Sequence, residues 1–384
     1  METVALNHGK TTYFENLDTT RFLGFFHVFL AHCFFTTSPK IAASPEFHLA
    51  TISIKAGFLG LDYFFVLSSF LLTWLALEEK RKIGDFNPFL FLVRRGIRLW
   101  PLYFVILLAV YGFYHFFGQS MGLTPLPPAS IFLLFVSNFY IILHGQDFLF
   151  LLVFFWSIAV EEQFYLVWAA VLKFLQKRLV LVSFLMILAS LVFRFIYRND
   201  SHTLSFHTLS VVGNFGMGAL AATMAFRSSA FRVLFINISR TTSTLVYLLL
   251  LLLLVYYFRW FNDGFMLVFE KLIFSIFFVY LIMEQSFAKA PLIAFGQFKT
   301  LSYLGQLSLG LYCYHGVVLT LILPLMKSNG LAERPLQVFL INPMLIFLLT
   351  LLLAVGSYEL FEKRIHGLRR YFYPSKNNLQ SSRK

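Results

Sequence analysis

Long apolar runs recur from one end of the chain to the other, and nothing else in the sequence constrains the fold as strongly. A run of about twenty apolar residues can cross the hydrocarbon core of a bilayer as a helix. Lipid offers no water to a bare peptide group, so such a run must satisfy its backbone internally. The runs place spans at 22–38, 56–78, 99–117, 148–175, 179–197, 208–226, 241–260, 265–284, 307–326 and 340–361. A further apolar piece at 131–143 is too short to cross and reads as a re-entrant or interfacial segment. The expected fold class is an all-α polytopic membrane protein, a bundle of about ten transmembrane helices plus that short segment. Composition agrees: hydrophobic residues make up 59% and charged residues 13%, against about 25% charged in soluble domains. That excludes a soluble enzyme, a disordered chain and a fibrous repeat.

The net charge of +13 would suit nucleic acid if it were clustered on one soluble face. Its distribution argues otherwise. With the N-terminus in the cytoplasm, 23 of the 31 Lys and Arg fall in the inner segments, and the outer loops hold few, among them Lys40, Lys55, Lys327 and Arg334. Basic residues collect in short cytoplasmic loops, so the pattern predicts both termini inside and needs no nucleic-acid partner. The expected organisation is a cytoplasmic segment 1–21, a transmembrane domain 22–361 and a basic cytoplasmic tail 362–384. No internal repeat or linker to a second domain is visible. The polar first twenty residues lack the pattern of a cleaved signal, so the first span is expected to stay as an anchor. Cys33 and Cys313 both lie in apolar runs, so they define no disulfide framework and no redox compartment.

Ionisable groups inside spans are costly unless they face a cavity or a partner, which makes each a candidate functional residue. Arg21 and His32 are eleven residues apart, close to three full helical turns, so they share a face and stand ~16 Å apart along the axis. A cation at the cytoplasmic rim with a titratable base deeper in the membrane suits a charged donor with a reactive end. His27 lies on another face and reads as a packed histidine. Asp62, in GFLGLDYFFVLSSFLLTW (57–74), is a carboxylate that needs a partner, whereas Ser68 and Ser69 read as a small-residue packing stripe. In FLVRRGIRLWPLY (91–103), Arg94, Arg95 and Arg98 form either a snorkelling cytoplasmic flank or an anion clamp. WSIAVEEQFYLVW (156–168) carries adjacent Glu161 and Glu162, of which at least one must point inward to hold a histidine or an arginine. His315 lies in LGQLSLGLYCYHGVV (304–318), either as a capped polar core residue or as a second candidate base. Arg194 reads as a snorkelling span end, and Glu270 with Lys271 as a structural pair. Cys33 is a poor acyl carrier, since nothing marks it as a lowered-pKa thiol. There is no phosphate-binding glycine loop, no metal-spaced cluster and no nucleophile elbow.

Taken in order, these stretches resemble the acyltransferase-3 family of membrane-bound O-acyltransferases across nearly the whole chain. LDTTRFLGFFHVFLAH places Arg21 and His32 on the family's arginine–ten residues–histidine motif, and GLDYFFVLSSF, RRGIRLWPLY, WSIAVEEQFY, LGQLSLGLYCYH and SYELFEKRI follow. Ser69 stands where the family usually has Gly, Leu309 where Tyr is common, and TTRFLG replaces a glycine-rich start. The resemblance implies transfer of an acyl group, acetyl foremost, from an acyl-CoA donor to a hydroxyl of a cell-envelope glycan, glycolipid or other acceptor. It implies donor binding by Arg21, Arg95 and Arg98, and His32 as general base supported by Glu161 or Glu162. Asp62 and His315 complete the catalytic candidates. Neither a metal nor a permanently bound cofactor is implied. The location implied is the bacterial inner membrane, with lipid around the bundle. The rival from another class is a proton- or ion-coupled transporter or channel using the same intramembrane Glu and His residues. Coenzyme A release by the purified protein discriminates the two.

Overall fold

The computed structural model describes residues 12–118, 120, 124–261 and 264–373. Ten longer helices carry the architecture: α1 (Asn16–Cys33), α2 (Phe58–Ile83), α3 (Pro88–Phe113), α4 (Phe155–Phe174), α5 (Leu179–Ile196), α6 (Thr208–Arg227), α7 (Arg240–Val255), α8 (Gly264–Phe287), α9 (Ser308–Ser328) and α10 (Asn342–Ser357). Among the described residues, eight helical segments are long and apolar enough to cross a membrane. A ninth span would be the pair Ser229–Ile236 and α7, bent by 86° at its break. The remaining expected span, α1, is only 18 residues long and carries Asp18, Thr19, Thr20 and Arg21 in its first turns. That polar end tolerates the membrane because protein covers it: Leu17, Asp18, Thr19 and Thr20 are each no more than 1% exposed.

Close helix crossings bury α1, α2 and α6 at the centre. A Cβ on Gly60 would stand 2.5 Å from the Gly24 carbonyl oxygen, so α1 and α2 touch backbone to backbone there. A Cβ on Gly218 would meet the Val66 carbonyl oxygen at 2.0 Å and Ser69 Oγ at 2.1 Å. Ser69 is therefore accommodated by the missing side chain on α6, and its hydroxyl donates to Val66 at 3.0 Å. Small residues at such crossings allow the van der Waals packing that associates helices in lipid. Leu108, Phe174 and Leu352 are among the large apolar residues left exposed on the outer faces, where lipid would meet them.

The piece at 131–143 forms two short helices, Ala129–Leu133 and Ser137–His144. They join through Phe135, which adopts φ 53°, a conformation costly for a residue with a Cβ. Gln163 of α4 holds the turn: its Nε2 donates to the Phe135 carbonyl at 2.7 Å and to Asn138 Oδ1 at 2.9 Å. The far end of the chain does not break at 361/362. Helical backbone continues from Gln337 to Phe372 and folds against α3. Arg94 Nη1 donates to the Phe372 carbonyl at 2.8 Å and its guanidinium lies 5.1 Å from the Tyr373 ring centroid. The rest of the expected tail, 374–384, and most of the expected N-terminal segment lie outside the described residues.

Candidate active site

Arg21 from α1 and Arg95 and Arg98 from α3 converge on one partly open cavity of the bundle. Asn87 caps α3 by accepting from the Leu90 amide at 3.1 Å. The spacing then sets the roles: Arg94 turns to Glu79 and the C-terminal segment, while Arg95 and Arg98 face the cavity. Among the described residues neither forms an ion pair. Arg21 does pair, with buried Asp18, which also accepts from Gln306 Nε2 at 3.3 Å. Among the described residues, Glu161 is the only carboxylate lining the cavity. Ser68 Oγ donates to it at 2.7 Å, and Tyr165 also hydrogen-bonds it. Three arginines against one carboxylate leave the cavity cationic, and guanidinium forks match phosphate geometry.

Ser157 and Tyr312 also line this cavity, with their hydroxyls 2.7 Å apart. Tyr312 also donates to the Phe154 carbonyl at 2.9 Å. Just beyond lies a histidine pair. His315 is fully buried, its ring 5.3 Å from Tyr312 and 5.7 Å from His32. Phe154 packs on both rings, 4.5 Å from His315 and 5.0 Å from His32. It can do so because residue 316 is glycine, where a Cβ would stand 2.7 Å from the Phe154 ring. His32 Nδ1 bonds the Val28 carbonyl at 2.8 Å, and His315 Nδ1 bonds the Tyr312 carbonyl. A carbonyl can only accept, so each Nδ1 carries a proton, and in the neutral ring the lone pair falls on Nε2. His315 Nε2 is buried with no partner among the described residues.

These placements correct several expectations. The group that orients His32 is the Val28 carbonyl, one turn back on the same helix, and neither Glu161 nor Glu162. Glu162 lies outside the cavity lining and has a buried Oε1 without a partner among the described residues. His32 sits in the last turn of α1. Asp62 does not join the arginines. It lines a second, partly open cavity, and Lys271 Nζ donates to it at 2.6 Å and Asn214 Nδ2 at 2.7 Å. Arg194, read as a snorkelling end, is 2% exposed and pairs with Glu270 at 2.8 Å. Glu270 and Lys271 do pair as expected, at 4.0 Å, and each also has a shorter ion pair to another helix, Glu270 with Arg194 and Lys271 with Asp62. His27 behaves as expected, bonding the Ala56 carbonyl at 2.7 Å. Tyr312 was missed, although its place three residues before His315 puts it on that helix face.

Fold and site define a multi-pass helical membrane protein with a cationic, hydroxyl-lined cavity leading toward a histidine pair. The chain belongs to an acyltransferase family: the family described as an acyltransferase domain matches residues 14–359. It is 28% identical to the peptidoglycan O-acetyltransferase OatA of Listeria monocytogenes over 314 residues, 75% of this chain and 49% of that protein. It is 26% identical to the O-acetyltransferase OatA of Staphylococcus aureus over 363 residues, 88% of this chain and 57% of that protein. The chain therefore spans about half the length of these relatives. No solved structure matches.

Proposed function

We propose that this chain is an integral membrane O-acyltransferase that moves an acyl group, acetyl foremost, from acyl-CoA to a hydroxyl of a cell-envelope glycan or lipid-linked sugar. One observation carries the reading. Tyr312 lines the arginine cavity and touches His315, which in turn faces His32. A phosphate-bearing donor held by Arg95, Arg98 and Arg21 would direct its thioester along this line. The uncharged Nε2 of His32 takes the proton of the acceptor hydroxyl as its oxygen attacks the thioester carbon. The C–S bond then breaks and coenzyme A leaves as the thiol, taking up the proton that the imidazole held. His315, locked in the same tautomer, supports the neighbouring imidazole, and Glu161 keeps the Ser68–Tyr165 hydroxyl cluster in place. The relatives' activity as O-acetyltransferases, one of them on peptidoglycan, supports a glycan acceptor.

The basic inner loops support a bacterial inner-membrane location with both termini in the cytoplasm, where coenzyme A is available. The transporter reading loses support where it would need free charges: Asp62, Lys271, Glu270 and Arg194 are tied into ion pairs. The test is acetyl-CoA turnover by purified protein given soluble glycan fragments, with thiol release and glycan mass followed together. An acetyl mass gain matching the thiol released supports the assignment. A folded protein that releases no thiol from any acyl-CoA overturns it.

A further inference from the structure

Arg98 is the centre of an unusual crowd of like charge. Arg21, Arg95 and Arg369 all stand close enough to Arg98 for the cations to repel. The carboxylates of the adjoining segments are already taken: Asp18 by Arg21, Glu79 by Arg94 and Glu359 by Lys363. Among the described residues, Arg95, Arg98 and Arg369 form no ion pair. Glu161, in the cavity lining, is engaged by the hydroxyls of Ser68 and Tyr165. Half-buried cations gathered without an ion-pair partner are held against their own repulsion, and an anion relieves that arrangement.

Arg369 is not there by accident of a loose tail. Its Nε donates to the His366 carbonyl at 3.2 Å, and His366 Nε2 donates to the Arg98 carbonyl at 3.2 Å. The His366 bond thus ties the C-terminal segment to the α3 turn that carries the cavity arginines, and the Arg369 bond holds that side chain on its own turn. The two Nη groups of Arg369 have no partner among the described residues. Arg21, Arg95 and Arg98 line the cavity and Arg369 does not, so Arg369 stands outside the lining, beside Arg98.

We infer that Arg98 and Arg369 form a separate phosphate subsite at the mouth of the arginine cavity, and that it takes the ribose phosphomonoester of a coenzyme A donor. The inference rests on the coenzyme A donor proposed above. Such a donor is linear. With its acyl end toward the histidines, the diphosphate follows the pantetheine and the nucleotide comes last. Arg369, outside the cavity lining, therefore meets the last phosphate together with Arg98, leaving Arg95 and Arg21 for the diphosphate.

Binding of coenzyme A and of 3′-dephospho-coenzyme A to the purified full chain tests this directly. Wild type should bind coenzyme A roughly tenfold or more tighter, the worth of a charge-assisted contact. Arg369→Gln should lower coenzyme A affinity to that of the dephospho compound and leave the latter unchanged. Arg369→Lys should keep part of the preference, since it retains the charge and loses the fork. Equal losses of both ligands in Arg369→Gln, or no preference in wild type, would overturn the subsite while leaving the donor in place. Failure of wild type to bind either ligand would instead remove the coenzyme A donor itself, and the subsite with it.

Discussion

A histidine whose Nδ1 donates to a carbonyl has its tautomer chosen for it, and the lone pair left on Nε2 is what general-base work requires. His32 has this arrangement through Val28. His32→Ala should leave donor binding intact and lower kcat by about 10²–10⁴, the usual cost of losing general-base assistance. His27→Gln should cost much less, because His27 only ties α1 to the Ala56 carbonyl. Comparable losses from both variants would reduce His32 to a packing residue. Asp62 offers the opposite case. Lys271→Met alone should destabilise by on the order of 3 kcal/mol, because it strands a buried carboxylate, while Asp62→Asn with Lys271→Met should recover most of that loss. If the stable double variant retains turnover, Asp62 is a structural charge. A double variant that is stable yet inactive would restore Asp62 to the chemistry. At this scale the sequence exposed which polar groups sit among apolar ones. It concealed their partners, since Lys271 and Asp62 are 209 residues apart and only tertiary packing brings them together.

Helices in this bundle are positioned by what their glycines omit. A Cβ on Gly305 would lie 1.7 Å from the Asp18 carbonyl oxygen, so the short helix Lys299–Gln306 is pressed onto the first turn of α1. Thr19 Oγ1 and Ser302 Oγ, 2.9 Å apart, fix the same contact. Asp18 in turn holds Arg21. Gly305→Ala must therefore separate the two helices, at about 1–3 kcal/mol for overpacking, and shift Arg21 out of register with the cavity. Thermal unfolding in detergent should show the loss, and the donor KM should rise several-fold. Gly112→Ala is the control, because a Cβ there meets nothing within 4 Å. Equal behaviour of the two variants would mean that this contact does not set the site. Apolar length revealed where most spans lie, but not that α1 is polar at one end or that its crossing needs Gly305. Periodicity reports a helix's own faces and says nothing about which backbone will press against them.

The whole bundle must present its arginine cavity to the compartment that holds the donor, so orientation and chemistry stand or fall together. Charge in the short loops was the readable signal here; the cavities themselves were not readable, because they are spaces between helices remote in sequence. The loop 84–87, next to the start of α3, should face the cytoplasm, and the end of α9 should face outward. Both native cysteines are buried, Cys33 at 0% and Cys313 at 1% exposure, so they contribute little background to thiol labelling. Asp85→Cys loses only the exposed pair with Lys173, worth about 1 kcal/mol at most, and Ser328→Cys changes an exposed helix end. An impermeant maleimide added to intact cells should label the cysteine at 328 and reach the one at 85 only after permeabilisation. Labelling of both from outside would break the span order between them. The reverse pattern would place Arg95 and Arg98 on the face without coenzyme A, and neither the donor assignment nor the phosphate subsite would survive it.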